Sequence, residues 1–194
     1  MARKRSVLAA LALLSTTAVM VAAPVGAAAP AATASTASAC PTGWGSLDKT
    51  RTATTTASVT DVRTGRQDCY DRMVIDVPGA GTGLGHLVRY VDRLHQDGSG
   101  THIPVGGGAI LEVRVAAPAY APATGEATYP GRPGKPLPGV SLTGYRTFQD
   151  ARFAGSFEGE TQIGLGVRGR LPFRVQVLTD RVVVDVAHSW SATR

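Results

Sequence analysis

Any chemistry this chain performs must come from a short supply of reactive side chains. Paired carboxyl groups cleave sugar bonds when one donates a proton and the other attacks or activates water. Asp150, Glu158, Glu160 and Asp185 can be nominated for such a pair, and spacing selects no two of them. Nucleophilic hydrolysis needs a placed Ser or Cys with a neighbouring base. No Gly-x-Ser-x-Gly elbow occurs, and Ser99 sits in Asp97-Gly98-Ser99-Gly100, which is turn chemistry. His86, His95, His102 and His188 lack the His-Glu-x-x-His and His-x-His spacings that hold a metal, so separate surface or edge-strand histidines are expected. The glycines of Val77-Pro78-Gly79-Ala80-Gly81-Thr82-Gly83-Leu84-Gly85 miss the spacing of a dinucleotide loop and read as a flexible β-turn. No catalytic residue, metal or cofactor is expected.

Binding chemistry has better material. Trp44, in Gly43-Trp44-Gly45, can offer a flat apolar platform to a sugar ring, though such a Trp more often covers the end of a core. Arg72 and Arg181 hold equivalent places in an internal echo. Asp71-Arg72-Met73-Val74-Ile75-Asp76-Val77 returns as Asp180-Arg181-Val182-Val183-Val184-Asp185-Val186. Alternation puts the apolar residues of each copy on one face and Arg and Asp towards the rim, as two equivalent strands of a pseudo-symmetric sandwich would. Trp44, Arg72 and Arg181 are therefore the candidate binding residues. Phe157-Glu158-Gly159 reads as a tight strand connection, with Glu158 expected to pair with Arg72 or Arg181.

The start of the chain sets the compartment. Arg3-Lys4-Arg5 precedes an apolar run from Val7 to Ala23, and small residues follow Pro24. Charge, apolar core and small-residue cleavage region, in that order, form a secretory signal over residues 1–29. The run is too short, and too softened by Ser15, Thr16 and Thr17, to serve as a lasting span. Export to an oxidising compartment favours a disulfide between Cys40 and Cys69, the only cysteines. That bond closes a loop of about thirty residues and stabilises by roughly 3 kcal/mol. Losing the leader lowers the net charge from +6 to +3, seventeen basic residues against fourteen acidic, with no run of five like charges. Nucleic-acid binding needs a concentrated basic face and is not expected.

Residues 30–39 read as a flexible, low-complexity spacer. Strands are expected over residues 70–77, 86–94, 109–115, 146–155, 161–167, 173–178 and 181–186, separated by glycine, proline and aspartate turns. No window keeps a helical apolar stripe for three turns. The fold class is all-β, a small antiparallel β-sandwich. Between Ala116 and Gly144 stand six prolines and five glycines, so a long, exposed Pro/Gly-rich loop outside the core is expected there.

An ordered set of motifs extends across nearly all of the mature chain. It comprises Cys-x-x-Gly-Trp-Gly-Ser (40–46), Asp-Val-Arg-Thr-Gly-Arg-x-Asp-Cys-Tyr-Asp-Arg-x-Val (61–74), Gly-Leu-Gly (164–166), Leu-Pro-Phe-Arg-Val (171–175) and Asp-Arg-Val-Val-Val-Asp-Val (180–186). This set resembles the AMIN-like domain proteins secreted by actinobacteria. The resemblance implies a β-sandwich over residues 40–188, with a tail at 189–194, related to domains that localise their hosts by binding the cell envelope. It implies a non-catalytic exported module whose partner is peptidoglycan or an envelope protein. A hydrolase of envelope glycans or peptides and a secreted interaction or inhibitor domain are the alternatives.

Overall fold

The computed structural model describes residue 40 and residues 43–190. The leader, the spacer and residues 191–194 of the tail lie outside them. Among the described residues there are eleven strands and no helix: β1 (Lys49–Arg51), β2 (Asp61–Arg66), β3 (Tyr70–Asp76), β4 (His86–Val91), β5 (Leu94–His95), β6 (His102–Ile103), β7 (Ala109–Val115), β8 (Phe148–Phe157), β9 (Glu160–Val167), β10 (Phe173–Leu178) and β11 (Arg181–Ala187).

Side chains pointing alternately to the two faces of the Val-rich strands make two sheets with one shared interior. β1-β4-β7-β9-β8 form a five-stranded sheet and β10-β11-β3-β2 a four-stranded one, all neighbours antiparallel. Met73, Ile75 and Val77, with Val182, Val184 and Val186, pack from the four-stranded sheet against Leu111, Val113, Ile163 and Leu165 of the other. Burying such side chains contributes about 1.5–3 kcal/mol each and is the main force holding the sheets together. The two copies of the repeated motif are adjacent, antiparallel strands of one sheet. Arg72 of β3 stands opposite Asp185 of β11, and Arg181 opposite Asp76, so the motif pairs with itself through an approximate two-fold at Val74 and Val183.

Three expectations change. The Pro/Gly-rich segment is part of the core rather than an exposed loop. It buries Ala117, Ala119, Tyr129 and Leu137, and it donates Gly134 N–H and Leu137 N–H to carbonyls of β8. Prolines disqualify it as a central strand, but they suit a cover that hides the open edge of β8 from other chains. The 86–94 strand breaks after Val91, and its last residue, Leu94, starts the β5–β6 hairpin. β1 and β2 were not foreseen, because Asp61–Arg66 buries only Val62 and takes its strand geometry from pairing with β3.

The β5–β6 hairpin lies across the outer face of the five-stranded sheet. Leu94, Ile103 and Ala154 form a second small core there, with Val105 and Ile110 packed against it. Gly164 and Gly166 of β9 make that close approach possible. A Cβ on Gly164 would stand 2.4 Å from Leu94 Cδ2, and one on Gly166 would stand 1.8 Å from the Gly106 carbonyl oxygen. One outer face of the sandwich is thus closed by its own chain, and among the described residues no such hairpin closes that of the four-stranded sheet.

Candidate binding face

The even-numbered residues of β3 and β10 and the odd-numbered ones of β11 point away from the core, so the open face of the four-stranded sheet carries the polar half of the echo. Asp185 is fully buried in this face between two guanidiniums. Arg72 donates through Nε and Nη2 to its two oxygens at 2.7 and 2.9 Å, and Arg174 donates Nε to Oδ2 at 2.8 Å. Donation to Asp185 raises the Arg72 pKa above its ordinary value, outweighing the opposite effect of burial. At the far end of the face Asp76 holds Arg63 at 2.7 Å and Arg181 at 3.7 Å. The second aspartate of each copy, Asp76 and Asp185, therefore fixes an arginine from its cross-strand partner and one from an edge strand.

Aromatic rings complete one end. The Arg174 guanidinium lies 4.5 Å from the centre of the Trp44 ring, and Tyr70 meets Trp44 edge-on at 5.4 Å. Arg72 sits over Tyr70 at 5.2 Å and donates to its hydroxyl at 3.2 Å. Trp44 is held there from both sides of its segment: Cys40 is bonded to Cys69, and Phe173 N–H donates to the Gly45 carbonyl at 2.8 Å. Trp44 lies outside both buried clusters, so it does not cover the end of the core. The terminal nitrogens of Arg174 have no partner among the described residues, which leaves donors beside a partly exposed indole. This arrangement can stack an apolar ring face and hydrogen-bond hydroxyl, acetamido or carboxylate groups at its rim.

The structure brings Trp44 and Arg72 together and puts Arg181 at the opposite end of the same face. Tyr70 and Arg174 were missed. Period-two alternation from Arg72 back to Tyr70, and from Phe173 to Arg174, carried the signal for both.

Of the four nominated acids only Glu158 and Glu160 line a common cavity. Asp185 belongs to the open face, Asp150 pairs with Arg152 at 2.8 Å, and Glu160 pairs with Arg114 at 2.7 Å. Glu158 is exposed on the β8–β9 turn and pairs with neither Arg72 nor Arg181; it and Gly159 take φ of 48° and 82°, the signature of a tight two-residue hairpin turn. The glycine loop is a turn pinned by Asp180, whose Oδ1 accepts Gly81 N–H at 2.6 Å. His95 and His102 are cross-strand neighbours with ring centres 5.6 Å apart, rather than separate. Among the described residues no three His, Cys, Asp or Glu side chains are grouped as a metal site.

His86 shares a cavity of about 460 Å³ with Arg51, Glu158 and Glu160. Its Nδ1 is buried without a hydrogen-bond partner. Burial, with a smaller contribution from Arg51, lowers the His86 pKa below its ordinary 6.5. The unfolded chain therefore takes up this proton at higher pH than the folded domain, so stability falls as pH drops below about 6.5. His86→Gln is expected to flatten the decline in urea midpoint between about pH 7 and pH 5; an unchanged slope would assign the decline to other groups.

Residues 57–188 match the family model for the AMIN-like domain. No curated protein and no solved structure matches the chain.

Proposed function

Because this chain belongs to the AMIN-like domain family, we propose that it is a non-catalytic exported module that binds the cell wall, with peptidoglycan as ligand. The observation that carries the reading is the face of the four-stranded sheet, left open among the described residues, where Trp44, Tyr70, Arg72 and Arg174 are locked around buried Asp185. A wall glycan presents sugar ring faces, acetamido groups and carboxylates, which are the groups that an indole and free guanidinium donors recognise. Holding those donors in place before binding reduces the ordering cost. The Cys40–Cys69 bond supports an oxidising compartment, and the leader at 1–29 with the spacer at 30–39 supplies the route.

The oxidised mature domain is expected to pellet with purified sacculi and to release no muropeptides. Trp44→Ala and Arg174→Gln should each weaken pelleting roughly tenfold, in line with the weight that Trp and Arg carry at binding surfaces. Arg132→Ala, on the exposed part of the Pro/Gly-rich segment, should leave it unchanged. Absence of pelleting would move the partner to an envelope protein. Release of muropeptides would turn attention to Glu158 in the cavity beside His86, the one observation on the side of hydrolysis.

A further inference from the structure

At the corner where β2 turns into β3 lies a second cavity, open to solvent and of about 420 Å³, lined by Arg66, Asp68, Asp71, Gly144, Arg146 and His188 among others. Its charges fall into two kinds. Asp71 is fully buried and fully used: Oδ2 accepts Thr147 N–H at 2.6 Å and Phe148 N–H at 3.2 Å, and Oδ1 meets His188 Nε2 at 3.1 Å. His188 is used as well, its Nδ1 lying 3.2 Å from the Asp68 carbonyl oxygen. Arg66, Arg146 and the Asp68 carboxylate are exposed, and none has an ion-pair or side-chain hydrogen-bond partner among the described residues. The arginines of the open sheet face, by contrast, are each ion-paired to Asp76 or Asp185, even where terminal nitrogens such as those of Arg174 stay free. Gly144 takes a φ of 79°, which favours glycine, and the end of the Arg66 side chain lies against it, Nη1 standing 2.7 Å from where a Cβ would be.

Two uncommitted guanidiniums and one uncommitted carboxylate around a single cavity ask for a ligand with both charges. A guanidinium fork matches a carboxylate, and a carboxylate matches an ammonium. A phosphate dianion meets the guanidiniums equally well but adds its charge to those of Asp68 and Asp71. The position adds a second argument. Asp68 precedes Cys69 and Tyr70 in the chain, Tyr70 touches Trp44 at 5.4 Å, and His188 N–H donates to the Cys69 carbonyl at 2.9 Å. The cavity thus opens beside the aromatic end of the binding face.

We propose that this cavity holds the free amino-acid end of a wall stem peptide, its α-carboxylate on Arg66 and Arg146 and its α-ammonium on Asp68. The inference rests on the wall-binding reading above and names the part of the wall the domain recognises.

The test titrates the isotope-labelled, oxidised mature protein with four probes, read by backbone amide shifts at Gln67, Gly144 and His188. They are meso-diaminopimelic acid, 1,5-diaminopentane (no carboxylates), heptanedioic acid (no ammoniums) and inorganic phosphate. Diaminopimelic acid should bind, and the other three at least roughly tenfold more weakly. Arg66→Gln and Asp68→Asn should each weaken diaminopimelate binding roughly tenfold. Heptanedioic acid or phosphate binding as well as diaminopimelic acid, or no change in either variant, would overturn the assignment. Pelleting with sacculi but no response to diaminopimelic acid would overturn it and leave the wall reading standing. A response to diaminopimelic acid without pelleting would support the cavity and overturn the wall reading.

Discussion

Phe173→Ala is expected to lower the unfolding free energy by about 4 kcal/mol, the middle of the range for deleting a buried aromatic side chain. Phe173 is fully buried, its ring meets Tyr90 edge-on at 5.6 Å, and Lys49 Nζ lies 4.7 Å above it. It therefore joins β10 of one sheet to β4 and β1 of the other, near the end of the sandwich where Gly45 docks. The surroundings cannot collapse into the gap without pulling the two sheets out of register with their own ladders. Phe157→Ala supplies the comparison, since that ring is 47% exposed and rests on the Gly98 turn; its loss should cost less than about 1 kcal/mol. Chemical denaturation of the two variants decides the point, and equal costs would show that the β10 end is not packed as described.

Loss of the Cys40–Cys69 bond should cost roughly 3 kcal/mol, chiefly by freeing the unfolded chain from a 29-residue constraint. Urea midpoints measured with and without reductant report this directly, and coincident midpoints would contradict it. The effect on binding should exceed the effect on the fold. Trp44 lies four residues from Cys40, and without the bond its segment is tethered on one side only, through the Gly45–Phe173 hydrogen bond, Arg170 on the Ser46 carbonyl and the contacts with Arg174 and Tyr70. Reduced protein that is still folded at low temperature should therefore pellet poorly with sacculi, because the ring must be ordered during binding. The Cys40→Ala/Cys69→Ala double variant should behave like the reduced protein.

What was legible in the sequence follows from how much each segment carries its own burial pattern. β3, β9, β10 and β11 place β-branched and aliphatic residues at period two or in unbroken runs, and all four stand within a residue of where they were expected. β2 has one buried residue, Val62, so its strand character lives in β3 rather than in itself. The segment from Ala116 to Gly144 misleads for the opposite reason. Its prolines and glycines describe local backbone, while its burial depends on a sheet edge contributed by β8, which follows it in the chain. The binding face was half legible. Trp44 and the motif arginines stood out by type, but Tyr70 and Arg174 matter because of which strands lie side by side. Strand order is not written in any one strand.

The self-pairing of the repeated motif has a consequence for how the sheet finds its alignment. On the inner side, Met73 and Ile75 face Val184 and Val182, side chains so alike in size that these contacts alone would tolerate β3 sliding by two residues along β11. The outer side admits no such slip. In one direction Arg72 would oppose Val183, in the other Ala187, and in both Asp185 would stay buried without its cross-strand guanidinium. Asp185 would then keep only Arg174 of its two guanidiniums, and a buried carboxylate that loses an ion-pair partner is strongly destabilised. The aliphatic layer supplies adhesion with little discrimination, and the charged layer acts as a ratchet that accepts one alignment and rejects its neighbours.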